Sequence, residues 1–320
     1  MDVSRNASAV SPAGLEPPPA YSRVESAFSV IVEVAVSSLV AAEIVILLAG
    51  VFARYVLHTP LVWADELASI LFLWLAMLGA VIAMHRSEHM RMTAATSRLS
   101  HRTKTVLDAL ANAAPLAFLA LILPSAIAYM HEEVVIRTPA LDVSNAWRTA
   151  AIPVGIALML VFVALQLIRS RSVFRAVSIV IMALVLGYAA SPLLYQLGNI
   201  NLLVFFVGVL LACVLAGIPI AFCFALATYG YLAFTTEIPL SVIPGRMEEG
   251  MSHLILLSIP LFVFLGKLVE MTGMAKAMVD FLASLLGHVR GGLHYVLIGA
   301  MYLVSGISGS KAADMAAVAP

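Results

Sequence analysis

Residues 291–320 read GGLHYVLIGAMYLVSGISGSKAADMAAVAP, and this stretch sets the question for the whole chain. An apolar run starts after a Gly-Gly pair and reaches Ser305-Gly306-Ile307-Ser308-Gly309-Ser310, where small and polar residues take over. As a helix, residues 291–304 would rise about 21 Å at about 1.5 Å per residue. A bilayer's hydrocarbon core is about 30 Å thick. The run is therefore predicted to break at membrane depth. Irregular backbone is tolerated there only where it is buried in protein or lines a cavity, and such breaks gather ion- and solute-binding groups.

The rest of the chain supports a membrane setting. Of its 320 residues 62% are hydrophobic and 11% charged, against about 45–50% and about 25% in soluble domains. Mean hydropathy is +1.03. The apolar runs are long and continuous, which excludes a barrel of short alternating strands. The expected fold is all-α, polytopic and helical, embedded in the lipid bilayer. Net charge is zero, so nothing points to a nucleic-acid partner. The two cysteines, Cys213 and Cys223, lie inside apolar runs and read as small buried hydrophobes. Residues 1–23 hold Pro17-Pro18-Pro19 and no signal-peptide h-region; they are expected to be a disordered cytoplasmic tail.

Apolar spans are predicted at 30–53, 67–84, 109–130, 150–168, 176–194, 202–216, 218–234 and 254–271, followed by the broken segment. Residues 273–288 read as an amphipathic stretch, with Lys276, Asp280 and His288 toward water and Met278, Phe281 and Leu285 toward lipid. The loop 85–105 carries Arg86, Arg91, Arg98, Arg102 and Lys104, and the loop 169–175 carries Arg169, Arg171 and Arg175. The opposite side has Arg54, Arg137, Arg148 and Arg246 beside Glu132, Glu133, Glu248 and Glu249. The positive-inside rule puts the first group and the N-terminus in the cytoplasm. This parity requires Gly217-Ile218-Pro219 to be a cytoplasmic turn. Residues 24–171 then form a four-span unit with both ends inside, 172–198 a connecting span, and 199–320 the start of a second unit.

Few polar groups lie at membrane depth. Glu33 and Glu43 sit in the first span. Glu43 and Arg54 are eleven residues apart and share a helix face. An intramembrane carboxylate suggests a functional site, but seaming or anchoring a helix is the better reading for these two. Trp63-Ala64-Asp65-Glu66 opens the second span, where acids favour a helix N-terminus and Trp the interface. His85, Glu88 and His89 have a metal-like spacing, yet they fall at a span end in a basic loop. Lys267 and Glu270 are spaced to pair on one face. No nucleophile elbow, phosphate loop or nucleotide fingerprint is present, so neither an enzyme nor an ATP-driven pump is indicated.

The break is different. Ser305, Ser308 and Ser310 offer hydroxyl oxygens, and Gly306 and Gly309 let carbonyls turn toward a ligand. Oxygen ligands suit Na⁺. The negative end of the first half-helix favours that cation, and the positive end of the next favours an anion. The competing reading is a Gly/Ser helix-packing seam.

Arg54-Tyr55-Val56-Leu57, residues 60–67 (PLVWADEL), Leu78-Gly79-Ala80 and Glu88-His89-Met90 resemble the small, DctQ-type permease subunit of tripartite ATP-independent periplasmic (TRAP) transporters. Residues 216–221 (AGIPIA), Ile259-Pro260-Leu261-Phe262, residues 287–293 (GHVRGGL) and Ser308-Gly309-Ser310 resemble the large, DctM-type subunit. The resemblance covers 24–171 and 202–320 and implies a fusion of the two. It implies a multi-pass permease of the bacterial inner membrane, with Na⁺ as coupling ion and no cofactor. A periplasmic solute-binding protein would deliver carboxylate-bearing organic acids. The large subunit would move as an elevator against a static small one. Residues 305–310 would be the tip of a first helical hairpin beside the sodium site. Lys311 follows it and, pointing inward, would compete with a cation. The family pattern continues past Pro320 to a second, inverted hairpin, so residues 1–320 alone are expected not to transport. The alternative is a non-transporting membrane scaffold or an inactive truncated fragment.

Overall fold

The computed structural model describes residues 20–86, 101–169, 173–196, 198–286, 288 and 291–308. Among these the regular structure is helical, apart from one isolated β-bridge between Arg137 and Ser144. Helix α1 (Ala20–Tyr55) begins directly after the triple proline, inside the segment expected to be disordered. Proline lacks the N–H a helix interior needs but is compatible with a helix start, so Pro17-Pro18-Pro19 marks where the helix can begin. Then come α2 (Val62–His85), α3 (His101–Glu132), the short α4 (Ala146–Thr149), α5 (Ala151–Arg169) and α6 (Val173–Gln196). These contain five stretches long and apolar enough to cross a membrane, one for each of the first five predicted spans.

The second half is more broken. α7 (Ile200–Leu203), a π-turn (Val204–Val209) and α8 (Leu210–Leu215) form one apolar rod, and α9 (Ile220–Thr235) another. The turn between them is Gly217-Ile218-Pro219, as predicted; Gly217 has φ +79°, a left-handed geometry that favours glycine. α9 has 16 residues, about 24 Å, so it falls short of a full hydrocarbon core. α10 (Val242–Met251) is followed by a 3₁₀ turn (Leu254–Ser258) and α11 (Ile259–Met271), bent by 46° between them. α12 (Met274–Leu286) and α13 (Gly292–Ser308) complete the described chain.

Two ion pairs fix how α1 lies on α2. Arg54 donates to Asp65 at 3.0 Å, and Arg86 to Glu33 at 2.9 Å. Arg54 therefore takes Asp65, not Glu43. Both pairs fall on one antiparallel register. Along α1 they are about 32 Å apart, close to the hydrocarbon thickness, so they mark its two faces.

The main core lies where α2, α3 and α5 meet, with Leu73, Val81, Leu119, Ile122, Ile152 and Ile156 fully or almost fully buried. It runs on without a gap into Ile218, Phe222, Cys223 and Ile243 of the second half. Phe118 of α3 meets Phe222 and Tyr229 of α9 edge to face, at centroid distances of 6.2 and 6.5 Å. α6 joins this seam through Gly187: a Cβ there would stand 2.6 Å from the Phe234 ring of α9. Close approach at small residues is how helices associate when lipid supplies no hydrophobic drive. Both cysteines are free thiols; Cys223 is buried and donates to the Ile218 carbonyl at 3.4 Å.

Candidate functional site

The predicted tip lies at the end of α13. Its helix does not stop at Ser305 but continues through Ser308. Ser and Gly cost a helix interior only about 1 kcal/mol or less each, whereas broken backbone hydrogen bonds in hydrocarbon cost several. At 17 residues, α13 still rises only about 26 Å. Ser305, Gly306 and Ser308 thus share its last turns, while Gly309 and Ser310 lie outside the described residues, as does Lys311. α13 packs on α12 and α11, with Gly299 facing Leu282 and Val296 buried. On α12, Lys276 and Asp280 are exposed as expected, and so are Phe281 and Leu285 on the apolar side. Of the expected Lys267–Glu270 pair, the Glu270 side chain lies outside those described.

A second constellation ties the two halves together. The Tyr129 hydroxyl of α3 donates to Glu248 of α10 at 2.5 Å. Arg148 of α4 lies 3.2 Å from the other oxygen of the same carboxylate. Glu248 is only 7% exposed, so its charge is compensated inside the seam. Gly245, one turn earlier on α10, lets the Tyr129 ring lie close. The neighbouring loop is held from below: Glu66 of α2 accepts from the backbone N–H groups of Ala140 (2.7 Å) and Leu141 (3.0 Å). Asn145 donates to Glu133 at 2.6 Å, and Ser144 to the Val134 carbonyl at 2.8 Å. The indole N–H of Trp74 in α2 donates to the Trp147 carbonyl at 2.9 Å. The structural reading of the Trp63–Glu66 motif holds, though Glu66 secures a distant loop as well as opening its own helix. Sequence placed Arg148 and Glu248 on one side of the membrane but gave no sign that they meet.

His85 packs on Phe162 with centroids 4.8 Å apart. Glu88 and His89 lie outside the described residues, and no cluster of three or more metal-ligating side chains occurs among those described. Two cavities, of about 530 and about 470 Å³, open between the halves. The first lies between α3, α6, α8 and α9, the second between α2, α3, α5, α9 and α10. Their walls are almost wholly apolar, with Arg246 on the second, and neither offers convergent donors for a carboxylate.

The comparisons with known proteins divide the chain along the same seam. Residues 43–173 match the family model for the DctQ component of tripartite ATP-independent periplasmic transporters, and residues 207–320 that for the DctM component. The sialic acid TRAP transporter permease protein SiaT of Haemophilus influenzae is 27% identical over 84% of this chain and 46% of its own length. The isethionate TRAP transporter permease protein DctMQ of Oleidesulfovibrio alaskensis is 22% identical over 80% of this chain and 41% of its own. The C4-dicarboxylate TRAP transporter large permease protein DctM of Rhodobacter capsulatus is 30% identical over 35% of this chain and 25% of its own. The chain thus spans less than half the length of these relatives, all of them permease proteins. With its DctQ-type helices followed by DctM-type helices on one polypeptide and locked to them at Glu248, this multi-pass helical membrane protein belongs to the TRAP transporter permeases of the fused kind.

Proposed function

We propose that the chain is the permease part of a Na⁺-coupled secondary transporter. It imports carboxylate-bearing organic solutes delivered by a periplasmic solute-binding protein. It lies in the bacterial inner membrane with its N-terminus in the cytoplasm. The observation that carries this reading is the match to both permease components, in order, on one chain. In this reading α1–α5 are the static part. α11–α13 belong to the moving part, and residues 305–310 at its end contribute to the Na⁺ site: Ser305, Ser308 and Ser310 by their hydroxyls, Gly306 and Gly309 by their carbonyls. The contact pattern is consistent with that division, because α12 and α13 pack on each other and on α11 while α3 packs on five other helices.

The test is uptake in proteoliposomes by the permease that carries these residues. With the cognate binding protein and an inward Na⁺ gradient, that permease takes up an organic acid. Uptake that persists without the gradient, or without the binding protein, overturns the coupling or the partner respectively. Ser305→Ala and Ser308→Ala raise the Na⁺ concentration needed for half-maximal uptake. An unchanged Na⁺ dependence would return these residues to the packing-seam reading.

A further inference from the structure

Glu43 is the one carboxylate of the described chain that is fully buried, at 0% exposure, and neither of its oxygens has a hydrogen-bond partner. The register set by Arg54–Asp65 and Glu33–Arg86 puts it level with Ala76 of α2 and close to the bilayer midplane. Those two ion pairs lie about 15 and 16 Å away along α1, one toward each face. On α2, residues 67–84 carry no titratable side chain, and Asp65, Glu66 and His85 stand at the ends. α11, which also packs on α1, carries Lys267, which is exposed, and Glu270; α5, which meets α1 at Phe28 and Phe162, has only Arg169 at its end. The 3₁₀ turn before α11 has none, and its Leu257 packs with Leu47, Ala68 and Phe72. An ionised carboxylate with no protein partner would be very costly at this depth, and a group so placed neutralises instead.

We propose that Glu43 is a proton-binding site in the seam between the DctQ-type and DctM-type helices, carried as the neutral acid, and that α1 packs fully on α2 and α11 only in that state. The sign of the pH effect follows. Unfolding exposes the carboxyl to water, where it releases its proton above the ordinary glutamate range. The folded chain then holds one more proton than the unfolded one, so stability falls as pH rises. Glu43→Gln keeps the shape and the neutrality but has no proton to lose, so it folds and lacks that slope.

Two measurements on the purified full chain in lipid nanodiscs test this. Infrared spectra at neutral pH show the carbonyl stretch of a protonated carboxyl, which an ionised carboxylate does not give, and that band is lost in Glu43→Gln. Melting temperatures taken from mildly acidic to alkaline pH fall more steeply for the wild type than for the variant. A band that survives the substitution, or melting curves that run parallel across pH, overturns the assignment.

Discussion

The seam at Glu248 and the pair α12–α13 are both parts of the DctM-type half, yet they are held in opposite ways. At Glu248 the carboxylate reaches Tyr129 and Arg148 of the first half, and apolar packing continues across the boundary. α12 and α13 touch the rest mainly through α11, and Phe281, Ile298 and Tyr302 are exposed. One region reads as fixed to its neighbours and the other as free to take further contacts. Substitutions that break the first should cost stability; those in the second should cost little.

The largest expected effect is at the seam. Glu248→Ala leaves Arg148 and Tyr129 facing each other without their shared acceptor. Removing one partner of a buried pair costs about 3–5 kcal/mol, because the remaining charge stays desolvated. Thermal unfolding of the purified chain in lipid should show this loss, while Tyr302→Ala on α13 leaves the transition where it was. Equal shifts for the two variants would erase the contrast.

Packing of the first half comes next. Leu119→Ala and Ile122→Ala remove fully buried side chains of α3. Large-to-small changes of this kind in soluble cores cost about 2–5 kcal/mol. In a membrane the unfolded reference still contacts lipid, so mainly the cavity term remains and about 2 kcal/mol is expected. Ile298→Ala on α13, where the side chain is exposed, is the matched control and should cost well under 1 kcal/mol by the same unfolding assay.

These contrasts also show what the sequence could reveal. The first five spans were legible because hydrocarbon demands long apolar runs, and no loop could imitate them. The turn at Gly217-Ile218-Pro219 was legible because its residues cannot continue a helix. The α13 boundary was not, since Ser305 and Gly306 weaken a helix without ending it. Nor was the role of Glu248: its neighbours in sequence, Glu249 and Arg246, form an exposed pair at 2.6 Å, and only the fold separates a surface carboxylate from one sealed against Tyr129. The spacing of Glu43 and Arg54 placed them on one helix face but did not say which groups they meet. A shared face does not decide pairing when α2 brings Asp65 to the same end.

A smaller effect probes the loop that leads into Arg148. Glu66→Ala removes the acceptor for the Ala140 and Leu141 N–H groups, a cost of about 1–2 kcal/mol for charge-assisted bonds at a partly buried site. Hydrogen exchange at those two amides should quicken markedly. If Arg148 depends on this loop for its position, exchange should also rise along α10, and it should do so less than in Glu248→Ala. Unchanged α10 exchange would show that the seam stands without the loop.

The smallest expected effect is at Arg246→Ala. Its partner Glu249 is as open to water as Arg246 itself, and exposed pairs contribute about 0–1 kcal/mol. Arg246 and Glu248 stand two residues apart on α10, so the comparison with Glu248→Ala holds helix and depth nearly constant and varies chiefly desolvation. Arg246→Ala should leave the melting transition almost unmoved, and added salt should shrink what little remains. A loss comparable to that of Glu248→Ala would mean that α10 is held by its surface charges, and the buried contact with Tyr129 and Arg148 would no longer explain why the two halves stay together.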